Sequence, residues 1–145
     1  MATKSQKSKK KVEEPENIIV VSGGFDKIGK KEVALLRKIK NKADWLIVGV
    51  NSDEYTKNAT GTCTEPYTLR KHLISTIDYV DEIITFDDQD GTCCQLLEIV
   101  KSLYNGAKIY YIKKELIGYD ITVNTEIPEK SVKDIILITM KDDLK

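Results

Sequence analysis

Histidine and cysteine are scarce in this sequence. The 145 residues include one histidine and three cysteines. A structural zinc site takes about four such ligands and would have to use every histidine and cysteine of the chain, so this composition argues against one. Cys63, Cys93 and Cys94 are odd in number and two of them are adjacent, a spacing at which cysteines rarely pair. A disulfide framework is therefore not expected, and reduced thiols fit the cytoplasm.

The sequence also lacks net charge and long apolar runs. Twenty-three basic residues balance twenty-three acidic ones, so no general attraction to nucleic acid or to an anionic membrane is expected. No apolar run approaches the roughly 18 residues of a membrane span, and the lysine-rich start has no apolar core of a secretory signal. We expect a cytoplasmic protein that binds neither membranes nor nucleic acid. Its partners should bind at a specific site rather than through its overall charge.

Residues 1–16 form a charged arm. They contain five lysines followed by three glutamates, with almost nothing apolar to bury. We expect this arm to be disordered and residues 17–145 to form one domain. The arm could contact a protein partner, although a solvated tail is the simpler interpretation.

Beyond the arm, short apolar runs alternate with helical periodicity. The pattern predicts strands at 18–22, 45–50, 82–86, 107–112 and 134–140, and helices near 31–41, 67–77 and 91–104. Alternation of this kind predicts an α/β fold: a single doubly wound, Rossmann-like domain with a mainly parallel five-stranded sheet and helices on both faces. In the third helix, Cys93 falls on the buried stripe and Cys94 does not.

The turn after the first strand is the leading candidate for a site. Ligands of such sheets bind beyond the carboxyl ends of the strands. Glycines allow the backbone to approach a ligand, and the N–H groups at the start of the next helix favour an anion. A plain strand-to-helix turn with solvated lysines is the alternative. The candidates for nucleotide or phosphate binding here are Gly23, Gly24, Phe25, Asp26, Lys30 and Lys31.

The run from Ile18 to Asp26 resembles the opening strand and turn of the cytidylyltransferase-like nucleotidyltransferases. Further segments recur in the same order as far as about residue 140: 48–54, Arg70, 79–83 and 86–91. The resemblance is closest to the branch of glycerol-3-phosphate cytidylyltransferase and the nucleotidyl-transferring domain of ADP-heptose synthase. It implies transfer of CMP or AMP from CTP or ATP, with magnesium, to a phosphorylated small molecule, and release of pyrophosphate.

The two histidines of the family motif His-x-Gly-His are missing. Their places hold Gly29 and Glu32. In the family, these histidines donate hydrogen bonds to the triphosphate. Gly29 has no side-chain donor, and an ionised Glu32 would repel a nearby phosphate by on the order of one to a few kcal/mol. Lysines at the turn could preserve phosphate binding without preserving the geometry of catalysis.

Two further family features depart from the pattern. Residues 118–129 loosely resemble the acceptor loop of the heptose branch, which makes Asp120 and Asn124 acceptor candidates, but Ile121 replaces the arginine of that loop. The serine- and threonine-rich segment expected after the last strand does not precede Lys145. The resemblance therefore predicts a domain that has lost nucleotidyl transfer and is kept for binding or assembly, as a homodimer like related small cytidylyltransferases. The alternatives are an active nucleotidyltransferase and an adaptor that works through its basic arm.

Several polar residues have two interpretations. Arg70 falls among apolar positions of its helix, so we expect it to pair either with a nucleotide phosphate or with an internal carboxylate such as Asp53 or Asp81. Asn51 and Asp53 could contact the acceptor, but this segment more simply caps a helix. The acidic residues Asp87, Asp88 and Asp90 could bind a cation, with capping of the helix near Gly91 as the favoured interpretation. No resident metal site is predicted, and His72 should be exposed.

Overall fold

The computed structural model describes residues 15–112 and 134–138. The elements within them are β1 (Asn17–Gly23), α1 (Lys30–Lys40), β2 (Trp45–Val50), α2 (Asp53–Thr60), α3 (Tyr67–Ser75), β3 (Glu82–Ile84), α4 (Cys94–Leu103), β4 (Lys108–Ile112) and β5 (Ile135–Ile138).

The strands form one parallel sheet in the order β3-β2-β1-β4-β5. The chain builds outward from β1 to β3 and then returns to the other side of β1. The strand order therefore reverses between β1 and β4, and this is where a ligand crevice is expected at the carboxyl ends of the strands. The predicted α/β fold with a five-stranded sheet is confirmed.

Each face of the sheet carries its own hydrophobic core. Because side chains alternate along a strand, Ile19 and Val21 of β1 pack with Leu36 of α1 and Ile74 of α3. The other face places Ile18, Val20 and the apolar side of α4 in a second cluster. Helices therefore cover both faces of the sheet, as predicted.

Helix α2 was not among the helices predicted from periodicity. Its sequence, DEYTKNAT, buries only Thr56, so it has no apolar stripe that a periodicity of 3.6 residues could reveal. The sequence did indicate the cap of this helix: Ser52 is the N-cap, and its Oγ accepts a hydrogen bond from the Tyr55 N–H at 3.1 Å. The structure therefore agrees with the capping interpretation of this segment.

The described chain begins with contacts to the domain. Pro15 is buried, the Glu16 carbonyl accepts from Lys108 N–H at 2.8 Å, and the Glu16 N–H donates to the Asp44 carboxylate at 3.1 Å. Residues 1–14 of the predicted arm lie outside the described residues. None of the helices in 15–112 is long and apolar enough to cross a bilayer.

The cysteines lie in different environments. Cys93 is fully buried in the core beneath α4, where burial raises the pKa of its thiol to about 11. Cys94 and Cys63 are half-buried. His72 is exposed, as expected.

Candidate functional site

The turn that follows β1 has an unusual backbone. Phe25 and Lys27 have φ values of 54° and 55°, a left-handed region that costs a non-glycine residue about 1–3 kcal/mol. The Phe25 side chain is completely buried in the core, which helps to hold the backbone there. The turn is therefore kept in this shape by its surroundings.

Gly24 is explained by a protein contact. A Cβ atom at this position would lie 2.8 Å from Cγ2 of Thr56, which is closer than carbon atoms normally approach. Because α2 packs this tightly against the turn, glycine is needed at position 24 with or without a ligand.

Glu32 faces inward at the start of α1. Its Oε1 atom accepts a hydrogen bond from the Gly29 N–H at 2.7 Å, and the residue is 1% exposed. This contact is one half of a capping box, in which an acidic side chain at the third helical position reaches back to the N-cap. The Gly29 N–H, which could have bound a phosphate, therefore donates to the carboxylate of Glu32 instead.

A loop at residues 61–66, which we call the covering loop, lies against the same turn. The Asp26 carboxylate accepts from the Thr64 N–H at 2.9 Å and from the Glu65 N–H at 2.8 Å. The Glu65 carboxylate in turn accepts from the Lys27 N–H at 3.0 Å. A second backbone donor of the turn is thus also bound to an internal carboxylate.

The covering loop perturbs the titration of Asp26. Burial raises the pKa of this carboxyl, but the hydrogen bonds from Thr64 and Glu65, together with the charges of Arg70 and Lys27, outweigh burial, so the pKa lies below its ordinary value of 3.8. A lowered folded-state pKa means that the ionised group contributes stability above about pH 3.8. That contribution is lost as the pH falls through the folded-state value.

The Asp26→Asn variant should therefore be less stable than the wild type at neutral pH, and the difference should shrink as the pH falls below about 3.8. Urea unfolding at several pH values measures it. Asp87→Asn, which removes a carboxylate from another loop, controls for the change in net charge. A difference between Asp26→Asn and wild type that is independent of pH would contradict a role for the ionised carboxylate.

Arg70 is fully buried and its guanidinium is bound on several sides. Nε donates to the Glu65 carbonyl at 2.8 Å, and one terminal nitrogen donates to the carbonyls of Gly24 at 2.6 Å and Asn51 at 2.9 Å. The other terminal nitrogen pairs with Asp53 at 2.6 Å. Arg70 therefore ties together the turn, the end of β2, the covering loop and α2.

The two internal carboxylates considered for Arg70 have different partners. Asp53 is the one that pairs with it, yet the Asp53 side chain is 55% exposed. Asp81 is buried and accepts from Lys40 Nζ at 2.7 Å and from the Leu46 N–H at 2.8 Å. The expectation that Arg70 pairs with an internal carboxylate is therefore confirmed for Asp53, although the groups that Arg70 satisfies in the interior are mainly backbone carbonyls.

Asn51 and Asp88 form a second buried network at the carboxyl end of β2. The Asp88 carboxylate accepts from the Asn51 amide at 2.9 Å, from the Ser52 N–H at 2.9 Å and from Ser52 Oγ at 2.8 Å. The prediction that Asp88 caps the helix after Gly91 was wrong, because α4 begins at Cys94 and Asp88 faces the β2 end. Asp90 does bond locally, to the Thr92 N–H at 2.9 Å.

Sequence reasoning missed a polar pair at the strand-order reversal. The hydroxyls of Ser22 on β1 and Tyr111 on β4 lie 2.6 Å apart and are buried. Burial and the neighbouring Cys93 raise the pKa of Tyr111. The available signal was a serine at the end of an otherwise apolar strand.

Of the remaining candidates, three lie next to the turn and two lie outside the described residues. Lys30 and Lys31 are exposed in the first turn of α1. Gly23 ends β1, and its carbonyl accepts from the Asn51 N–H at 2.8 Å. Asp120 and Asn124 lie outside the described residues.

Three groups at this turn that could bind a phosphate are engaged within the protein. The N–H groups of Lys27 and Gly29 already bind carboxylates, and Arg70 is inaccessible to solvent. Within 15–112 and 134–138, no three carboxylate, histidine or cysteine side chains lie close enough together to hold a metal ion.

Comparison with known proteins gives relatives of two kinds. The chain is 32% identical over 119 residues to the bifunctional protein HldE of Helicobacter pylori (strain G27), covering 79% of this chain and 25% of that protein. It is 35% identical over 66 residues to the glycerol-3-phosphate cytidylyltransferase of Bacillus spizizenii, covering 46% of this chain and 51% of that enzyme. The chain thus spans about a quarter of the length of HldE.

The fold is also similar to a solved structure, the lipopolysaccharide core biosynthesis protein from Thermoplasma volcanium. The TM-score is 0.57 at 19% identity, over 86% of this chain and 97% of that one. The sequence pattern of the cytidylyltransferase-like family matches residues 20–137. The family and branch predicted from the sequence are confirmed, and this chain belongs to the cytidylyltransferase-like family.

Proposed function

We propose that this chain is a cytidylyltransferase-like domain that has lost nucleotidyl transfer and is kept in the cytoplasm for binding or assembly. One observation carries the proposal. Glu32 stands where the family's second motif histidine is expected, and its buried carboxylate holds the Gly29 N–H. A phosphate about 5 Å away would be repelled by about 3 kcal/mol per pair of unit charges at an effective dielectric constant near 20.

The contacts of Glu65 and Arg70 support the same proposal. Glu65 places a second carboxylate on the turn, at the Lys27 N–H, and the donors of Arg70 are directed at carbonyls and Asp53. Loss of one oxyanion-type donor typically costs a factor of about 100 to 1,000 in rate. Because both histidines are absent and two carboxylates are bound to the turn, we expect little or no turnover.

The function that remains is binding. Three forms of binding fit the proposal: assembly as a homodimer, a protein contact through residues 1–16, and retention of a nucleotide without turnover. Active transfer is the competing function, and one observation favours it: Lys30 is exposed beside the turn, and an ammonium group can pair with a phosphate.

We expect no transfer of CMP or AMP to glycerol 3-phosphate or heptose 1-phosphate. Incubation with labelled CTP or ATP, magnesium and each acceptor measures product and pyrophosphate directly. Glycerol-3-phosphate cytidylyltransferase from Bacillus spizizenii provides the positive control.

Pyrophosphate release that requires both this protein and an acceptor would refute the loss of transfer. A Lys30→Ala variant would then show whether this lysine replaces a histidine. A melting shift with nucleotide but no turnover would agree with a retained binding site and identify its ligand.

A further inference from the structure

Basic residues are concentrated on helix α1 and the residues next to it, in a chain that has no net charge. Seven of the twelve lysines and arginines in the described residues lie between positions 27 and 42, together with a single acidic residue, Glu32. Glu32 is buried, so it does not offset the charge at the surface. The rest of the described residues contain five basic and fourteen acidic side chains.

Four exposed basic residues share one side of α1. Lys30, Lys31, Arg37 and Lys38 lie at spacings of seven and eight residues, which places them on a common face of the helix. We call these four residues the basic face. Lys40, also on α1, pairs with Asp81, and exposed Lys27 and Lys42 flank the helix outside its ends.

The stability of the helix does not account for the whole face. Cations in the last turn, such as Lys38, complement the negative end of the helix dipole. Lys30 lies in the first turn, where the positive end of the dipole disfavours a cation by about 0.3–1 kcal/mol. A cation at this end is more readily explained by an external anion.

We infer that the basic face docks an acidic segment of a partner protein. Charge complementarity is the argument. From Lys30 to Lys38 the face is about 12 Å long, roughly two helical turns. A short run of aspartates or glutamates matches the face in both length and charge.

Two other anionic partners fit less well. A membrane-surface helix needs apolar side chains next to its basic ones, but the apolar side of α1, including Leu35, Leu36 and Ile39, is buried in the core. Single-stranded nucleic acid is usually held by exposed aromatic side chains, whereas the ring of Tyr79, which Arg37 contacts at 5.9 Å, is half-buried. The inference does not depend on whether nucleotidyl transfer has been lost.

The test uses the full-length protein and a fluorescent peptide of about four glutamates, which spans about 13 Å when extended and so covers the face. Fluorescence anisotropy at low salt should show binding that weakens between about 50 and 200 mM salt. The Lys30→Glu/Lys38→Glu variant should bind at least about tenfold more weakly. Lys57→Glu/Lys108→Glu, with the same charge change at exposed positions elsewhere, should stay within about twofold of wild type.

Three outcomes would overturn the inference. Absence of peptide binding by the wild type at low salt would mean that the face is only solvated or is already covered. An equal loss in both double variants would mean a general charge effect. An oligonucleotide of equal length that binds more tightly than the peptide, and loses affinity in the α1 variant, would assign the face to nucleic acid. Circular dichroism of each variant shows that the fold is retained.

Discussion

Replacing Arg70 with leucine should lower the free energy of unfolding by about 4 kcal/mol. The guanidinium satisfies the carbonyls of Gly24 and Asn51 in the interior, and it also holds the Glu65 carbonyl. Each buried polar group left without a partner costs about 1–3 kcal/mol. Leucine supplies apolar volume but no donor, so it recovers only part of the loss.

Thermal and urea unfolding of the ligand-free protein measure the effect, which should be about 10–15 °C in melting temperature for a domain of this size. Lys71→Leu removes a cation from the next position of the same helix and should change stability by less than about 1 kcal/mol. Asp53→Ala tests the ion pair alone. Because the Asp53 side chain is 55% exposed, we expect it to cost no more than about 1 kcal/mol.

The two variants separate a structural role of Arg70 from a ligand role. If Asp53→Ala costs as much as Arg70→Leu, the ion pair rather than the carbonyls carries the stability. If Arg70→Leu leaves the ligand-free protein unchanged and abolishes a melting shift caused by nucleotide, Arg70 serves a ligand. That outcome would also restore nucleotide binding as the leading function.

The sequence indicated the burial of Arg70 and one of its partners, Asp53, but not the backbone carbonyls that it binds. Helical spacing placed the residue on the apolar side of α3, and a buried arginine must be paired. Its acceptors at Gly24 and Asn51 are 46 and 19 residues away in the chain. They are brought together only because β1 and β2 are neighbours in the sheet. A contact that depends on tertiary arrangement has no local sequence signal.

Glu32 shows how a motif comparison can place a residue correctly without revealing its partner. The resemblance set Glu32 in the place of a phosphate-binding histidine, which predicts that its charge repels a phosphate but does not predict the group that the carboxylate binds. In the structure the carboxylate points back to the Gly29 N–H at 2.7 Å. The local signal was available, since glutamate at the third position of a helix is typical of a capping box. The covering loop had no comparable signal, because its contacts with Asp26 span nearly forty residues.

Asp88→Ala should destabilise the protein by about 3 kcal/mol. Asp88 is 4% exposed, and its carboxylate accepts three hydrogen bonds, one from the amide of fully buried Asn51 and two from Ser52. Hydrogen bonds to a charged group contribute about 1.5–3 kcal/mol each, and a buried donor left without an acceptor costs about 1–3 kcal/mol. The Ser52 groups are only partly buried, so in the variant they can form hydrogen bonds with water. The expected loss of stability is therefore smaller than the sum of the three hydrogen bonds.

The neighbouring residue provides the control for this prediction. Asp87 is exposed and accepts from the Gln89 N–H at 2.9 Å, so Asp87→Ala should cost less than about 1 kcal/mol. Asp88→Asn keeps one acceptor oxygen and should fall between the two alanine variants in urea unfolding. If Asp88→Ala and Asp87→Ala were equally mild, the Asn51 amide would have found water, and Asp88 would not be what fixes the carboxyl end of β2. The expected order instead makes Asp88 the residue that holds Asn51, and with it one of the three carbonyls that bind Arg70, at the edge of the candidate site.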